Sequence, residues 1–268
     1  MEGWSLLLRP SRHVCCEWEK NCGIAWLIRI LCFYGWRKRL IVKKNIIITI
    51  DGPAGAGKST ISRLLAETLS YIYLDTGALY RAIAYQVDKE GLSEEEDDKI
   101  RELCGRTNLI LKSQRGKVMV YVNGRDVTED IRAPKISMLS SRISAFPFVR
   151  KHLLKLQREL ARNGAIVAEG RDMGTVVFPN ADIKFFLDAS VEERARRRCA
   201  ELLGRGFAAD FAEVKMEIVL RDRQDSQREI APLRAAKDAI IIDSTNNGVM
   251  DVVNRMMTLI RSRCRDAF

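Results

Sequence analysis

The sequence predicts an α/β fold built on a parallel sheet of five strands. Five short, mostly apolar runs carry that prediction: "NIIITI", "YIYLD", "GAIVAEG", "DIKFFLDA" and "DAIIIDST". Such runs suit strands covered on both faces. Helical patterns separate them, and alternation of the two types implies a parallel sheet with crossover helices. A glycine-rich turn, Gly52 to Ser59, directly follows the first run.

Taken in order, "NIIITI" is the first strand, and "STISRLLAETL" follows it with Ile61, Leu64, Leu65 and Leu69 at helical spacing. "YIYLD" is the second strand, with "TGALYRAIAYQVDKEG" the helix after it. Residues about 85–135 break the alternation. An acidic helix, "SEEEDDKIREL", precedes two alternating runs in "TNLILKSQRGKVMVYVNGRDV", and Asn123-Gly124 is a strong hairpin signal. This predicts a small antiparallel insert. Phe146-Pro147 turns the chain into the helix "VRKHLLKLQREL". Ser190 and Glu193 stand at capping-box spacing ahead of "RARRRC", and Arg196 and Arg197 read as a solvated helix face.

"GPAGAGKS" matches G-x-x-x-x-G-K-[ST]. Its glycines let successive backbone N–H groups turn inward as an anion nest, and the helix dipole aims at the same point. Gly52, Pro53, Ala54, Gly55, Ala56, Gly57, Lys58 and Ser59 are therefore expected to hold a nucleoside triphosphate. Lys58 would reach the β/γ-phosphates, and Ser59 would ligate Mg²⁺. Asp51 and Asp75, at strand ends, are weaker candidates for the Mg²⁺ shell. No guanine-reading N-K-x-D occurs, which weakens a regulatory GTPase reading. The arginines gather in motifs: Arg81 in "LDTGALYR", Arg171 in "EGRDMGT", and Arg221, Arg223 and Arg228 in "RDRQDSQR". Guanidinium forks suit phosphate oxygens. A phosphate acceptor is already ionised at neutral pH, so no general base is needed. A bland alternative reads Arg221, Arg223 and Asp225 as a helical salt-bridge ladder.

In this order, "IDGPAGAGKST", "LDTGALYR", "AFPFVR", "EGRDMGTVVFP", "FLDASVEERARRR" and "RDRQDSQR" resemble cytidylate kinase, a nucleoside monophosphate kinase family. The resemblance runs from about Lys43 to the C-terminus. It implies a P-loop kinase core, a lid over about 198–228, and an acceptor-binding lobe over about 76–150 that carries the β insert. It implies transfer from ATP·Mg²⁺ to CMP or dCMP, with Lys58, Arg171 and Arg228 catalytic, and it extends the ATP-binding loop to Thr60. Arg81, Arg171 and Arg228 would grip the phosphates. Ser141, Arg150 and Asp172 would read cytosine, Arg221 and Asp225 would hold the sugar, and Thr76 would lie near the base or phosphate. Arg142 stands where a shorter polar residue is expected and could crowd the base site. Another acceptor such as UMP remains an alternative.

The chain of 268 residues carries a net charge of +10, which invites a nucleic-acid reading. Residues 1–44, however, hold nine Lys or Arg against three Asp or Glu, all four tryptophans and four of the seven cysteines. The rest is nearly balanced, so no nucleic-acid partner is expected. The apolar run "CGIAWLIRILCFYGW" is short for a bilayer span, which needs roughly 20 residues. Residues 1–41 are therefore expected to be a leader outside the fold, with synthesis starting at Val42, and residues 42–268 the kinase domain. The scattered cysteines Cys104, Cys199 and Cys264 fit a reducing compartment. The expectation is a monomeric cytoplasmic enzyme without a membrane partner or a structural metal.

Overall fold

The computed structural model describes residues 45–114 and 117–264. The expectations about residues 1–41 and a start at Val42 lie outside the described residues. The order is β1 (Ile47–Asp51), α1 (Lys58–Leu69), β2 (Ile72–Asp75), α2 (Thr76–Lys89), α3 (Asp97–Arg106), β3 (Leu109–Gln114), β4 (Lys117–Val122) and β5 (Arg125–Asp126). A 3₁₀ turn at Asp130–Arg132 leads to α4 (Pro134–Ile143), α5 (Pro147–Leu160) and β6 (Ile166–Gly170). A π-turn at Met173–Val177 precedes β7 (Ile183–Asp188), α6 (Val191–Gly204), α7 (Phe211–Gln227), β8 (Ile240–Asp243) and α8 (Val249–Arg263).

All five expected strands pair in one parallel sheet, in the order β2-β6-β1-β7-β8. The central strand shows why the sequence reads as it does. Ile46, Ile48 and Ile50 are fully buried and so is Thr49 between them, so both faces of β1 are covered. Ile61, Leu65, Ala66 and Leu69 line the buried stripe of α1, and Leu79, Ala82, Ile83 and Val87 that of α2. On β1 the chain departs toward β2 on one side and ends with β7 and β8 on the other. A crevice at the carboxyl ends of the strands follows from such a reversal. Asp51, Asp75, Gly170 and Asp188 close β1, β2, β6 and β7, with Asp51 in register with Gly170 and Asp75 with Glu169.

The insert is the expected antiparallel sheet, ordered β3-β4-β5. Asn123 and Gly124 turn its second hairpin at φ 50° and 81°, the left-handed pair that a tight hairpin demands. Pro147 starts α5 at its first turn, where its missing N–H costs nothing. The Ser190 hydroxyl accepts from Glu193 N–H at 3.3 Å, so the expected cap of α6 forms. Helices α6 and α7 pack on each other around a small cluster of their own, Ala195, Leu202, Val214 and Ile218. Met216, Val219 and Leu220 lie exposed on the other face of α7. Among the described residues, no helix is long and apolar enough to cross a membrane.

Candidate active site

The glycine-rich turn follows β1 at the crevice. Gly52 has φ 150°, and a Cβ there would stand 2.0 Å from the Leu187 carbonyl oxygen of β7. Gly55 has φ 77° and lies against α6, where a Cβ would meet Arg194 at 2.9 Å. Side chains at either position would push the loop off its supports. Gly57 caps α1 with φ 88° and provides no side-chain acceptor, so the first turn of α1 keeps its N–H groups for an anion.

Carbonyls on the outer side of the loop are held by two arginines one turn apart on α6. Arg194 donates to Ala54 O at 3.1 Å, and Arg197 to Ala56 O at 3.4 Å. Ser244, just beyond β8, also donates to Ala56 O at 3.1 Å, while Arg197 binds the Ser244 hydroxyl at 3.0 Å and its carbonyl at 2.6 Å. The solvated-face reading therefore holds for Arg196, which is exposed and paired with Glu193, and fails for Arg197. The sequence pattern alone does not reveal this, because apart from Glu193 one turn before it, Arg197 finds its partners on segments far away in the chain.

Lys58 is buried and its Nζ donates to Pro53 O at 2.6 Å. Burial and the neighbouring Arg171 push its pKa down to about 7. The Ser59 hydroxyl donates to Glu169 Oε1 at 2.8 Å, and Tyr73 donates to the same oxygen at 2.6 Å. Burial, reinforced by Glu169, holds the Tyr73 phenol well above its usual range, so it stays protonated as the donor. The other carboxylate oxygen, Glu169 Oε2, is buried without a hydrogen-bond partner among the described residues. A buried carboxylate oxygen beside a hydroxyl is a hard donor set of the kind Mg²⁺ takes. Asp51 and Asp75 do other work. Asp51 accepts from Met173 and Gly174 N–H at 2.8 and 2.7 Å, and burial raises its pKa to about 6. Asp75 caps α2 by accepting from Ala78 N–H at 2.9 Å and pairs with Arg81 at 3.0 Å. Each oxygen of both aspartates thus already has a partner, whereas Glu169 keeps one oxygen without a hydrogen bond. Sequence reasoning missed Glu169, although a carboxylate closing the apolar run "AIVAE" was a usable signal.

Beside the loop, expected acceptor residues of α2, α5, the end of α7 and the turn after β6 converge. Asp225 of α7 is their hub, at 2.9 Å from Arg171 and 3.6 Å from Arg228. Asp172 pairs with Arg150 of α5 at 3.1 Å, and Arg228 stands 4.0 Å from its other oxygen. Arg150 also donates to the Tyr80 hydroxyl at 3.1 Å and lies over the Tyr80 ring. Burial pushes the Tyr80 pKa up to about 12. Thr76 donates to Glu169 O at 2.6 Å, at the seam between loop and acceptor side. Asp225 thus serves partners across the site, and Arg223 is exposed with Gln227, so "RDRQDSQR" is no ladder. Arg142 pairs with Glu94 on the exterior, and the ion pair draws it away from crowding the site.

The electrostatics show an excess of positive charge. Burial, then Arg171, bring Arg221 down to about 10, and burial with Arg150 lowers Arg228. Among the described residues, Arg81 Nε, Arg221 Nε, Arg228 Nη2 and Ser141 Oγ are buried without a hydrogen-bond partner. Unpaired buried donors are costly in a folded protein and point to a function.

A strand, a glycine-rich turn and a helix at the carboxyl edge of a parallel sheet, faced by clustered arginines, define a P-loop kinase. The family model for cytidylate kinase matches residues 48–262. A cytidylate kinase from Geobacter sulfurreducens is 48% identical over 223 residues, which is 83% of this chain and 96% of the relative. One from Carboxydothermus hydrogenoformans is 49% identical over 80% of this chain and 96% of its own length. One from a Geobacillus species is 46% identical over 83% and 99%. The chain belongs to the cytidylate kinase family and is a nucleoside monophosphate kinase, a phosphotransferase.

Proposed function

We propose that this enzyme transfers the γ-phosphoryl group of ATP to the phosphate of CMP and dCMP. The observation that supports this best is the set of buried unpaired donors on Arg81, Arg221, Arg228 and Ser141. Arg221 lies near Arg171 and Arg81, and Arg228 near Arg150, so cations gather here that repel one another, as suits a doubly charged phosphate acceptor. The loop from Gly52 to Thr60 holds the donor phosphates, and Lys58 exchanges its Pro53 carbonyl for them. Ser59 and Glu169 would hold Mg²⁺, which neutralises charge on the donor phosphates when bound. Arg81, Arg171 and Arg228 orient the acceptor phosphate and absorb charge as the phosphoryl group passes in line. No side chain takes a proton, because the attacking oxygen is already an anion.

Ser141, Arg150 and Asp172 read the base. Asp172 accepts from the exocyclic amine of cytosine, while Ser141 and Arg150 donate to N3 and O2. Uracil offers a carbonyl to the carboxylate and a donor at N3, so it leaves buried polar groups unpaired. Arg221 and Asp225 hold the sugar, with Thr76 close by. Residues about 198–228 act as a lid, packed on α6 through a small apolar cluster and resting on the loop through Asp222. Residues about 76–150 form the acceptor lobe. Closure excludes water that would otherwise hydrolyse ATP. We read the enzyme as a monomer in the cytoplasm, with no nucleic-acid or membrane partner. The test is an acceptor panel of CMP, dCMP, UMP and AMP with ATP. CMP and dCMP are expected to exceed UMP by on the order of 100-fold in kcat/KM, and a preference for UMP overturns the base assignment.

A further inference from the structure

One residue of the phosphate loop is held on both sides by the α6–α7 hairpin. Ala54 N–H donates to Asp222 Oδ1 of α7 at 3.3 Å, and Ala54 O accepts from Arg194 of α6 at 3.1 Å. Arg194 also pairs with Asp222 Oδ2 and donates to Ala189 O at 2.9 Å. The next residue, Gly55, rests directly on Arg194 with no room for a Cβ. These groups are largely withdrawn from water: the Arg194 side chain is 6% exposed and that of Asp222 19%. A carboxylate beside a loop meant for polyphosphate is electrostatically unfavourable unless a cation neutralises it. Arg194 supplies that cation.

We propose that Asp222, through Arg194 and Ala54, is a positioning residue for the donor nucleotide. Asp222 and Arg194 form a clamp that sets the mouth of the phosphate loop. An asparagine could satisfy the Ala54 N–H; the charge of Asp222 keeps Arg194 on the Ala54 carbonyl. The clamp also ties the donor loop to the acceptor side. Asp225 lies three residues further along α7, about 4.5 Å along the axis, and holds Arg171 and Arg228. A single helix therefore carries an anchor for each half of the site. This inference rests on the loop holding the donor phosphates.

The experiment measures binding of the non-hydrolysable analogue AMPPNP with Mg²⁺ and binding of CMP by calorimetry, with KM for ATP and CMP in parallel. Asp222→Ala is expected to weaken AMPPNP and raise the ATP KM about tenfold, with CMP affinity changed less than about twofold. Asp222→Asn, which keeps an acceptor for Ala54 N–H but loses the charge that holds Arg194, recovers only part of the loss. Unchanged ATP affinity in Asp222→Ala overturns the proposal. So does a parallel fall of ATP and CMP affinity with the thermal midpoint, which marks general loosening. Lys58→Met separates the two readings. Normal AMPPNP binding in that variant sinks the loop assignment itself, whereas weakened binding there with an intact Asp222→Ala sinks only the clamp.

Discussion

Lys58 is buried among cations, and its pKa near 7 places its proton within reach of nucleotide binding. A pKa near 7 leaves it mostly neutral at pH 8 without nucleotide, and donor phosphates held by the loop are expected to raise its pKa and draw a proton onto it. Calorimetry in buffers of different ionisation enthalpy is expected to show uptake approaching one proton at pH 8 and almost none at pH 6. ATP affinity then declines as pH rises above about 7, and Lys58→Met removes both effects. A pH-independent wild-type affinity would rule the mechanism out. The same shift has a sign for stability. Between about 7 and the ordinary lysine value the unfolded chain binds more protons than the folded one. The cost of burying this lysine is therefore full below pH 7 and fades as pH rises through that window. At this scale Lys58, Ser59 and the motif arginines were legible in the sequence, because each belongs to a short run of defined chemistry. Glu169 was not: its partner Ser59 lies 110 residues away, and no local spacing records such a contact.

At the scale of elements, the strand–turn–helix unit from Ile47 to Leu69 is self-describing, since its strand, its glycines and its helix stripe are contiguous. What the turn leans on is not. Gly52 faces the Leu187 carbonyl of β7, so Gly52→Ala forces β1 and β7 apart or flips the loop. Its thermal midpoint is expected to fall by an amount corresponding to about 2 kcal/mol or more, with AMPPNP binding lost. A variant that melts with wild type and binds normally refutes the close-approach account. The helix α6 shows how far local reading extends. Its cap at Ser190 is local and followed from the sequence, while the inward turn of Arg194 and Arg197 follows from where the loop and Ser244 lie. Periodicity could not separate those two from the solvated Arg196, because a charged residue reads as polar on either face.

For the whole molecule, charge and the extent of the family likeness bear on what the kinase domain requires. Most of the excess positive charge is in the first 44 residues, whereas the cytidylate kinase match occupies residues 48–262 and the relatives are covered over 96% or more of their length. A chain beginning at Val42 is accordingly expected to keep the thermal midpoint and the kcat for CMP of the full chain. A lower midpoint or a loss of turnover in that variant would assign residues 1–41 a part in folding or catalysis.

By itself the sequence determined the five strands and their alternation with helices, the antiparallel insert, the glycine-rich turn after β1 and the arginine motifs that the candidate site gathers. These follow from patterns of apolar spacing, glycine and capping chemistry that act within a few residues. Only the tertiary structure decided that Asp51 and Asp75 brace backbone and helix while Glu169 faces Ser59 with an unpaired oxygen. It alone placed Asp222 on the loop at Ala54, 168 residues away in the chain. A side chain's task in such contacts is set by what the fold brings opposite it, and that neighbour leaves no mark in the local sequence.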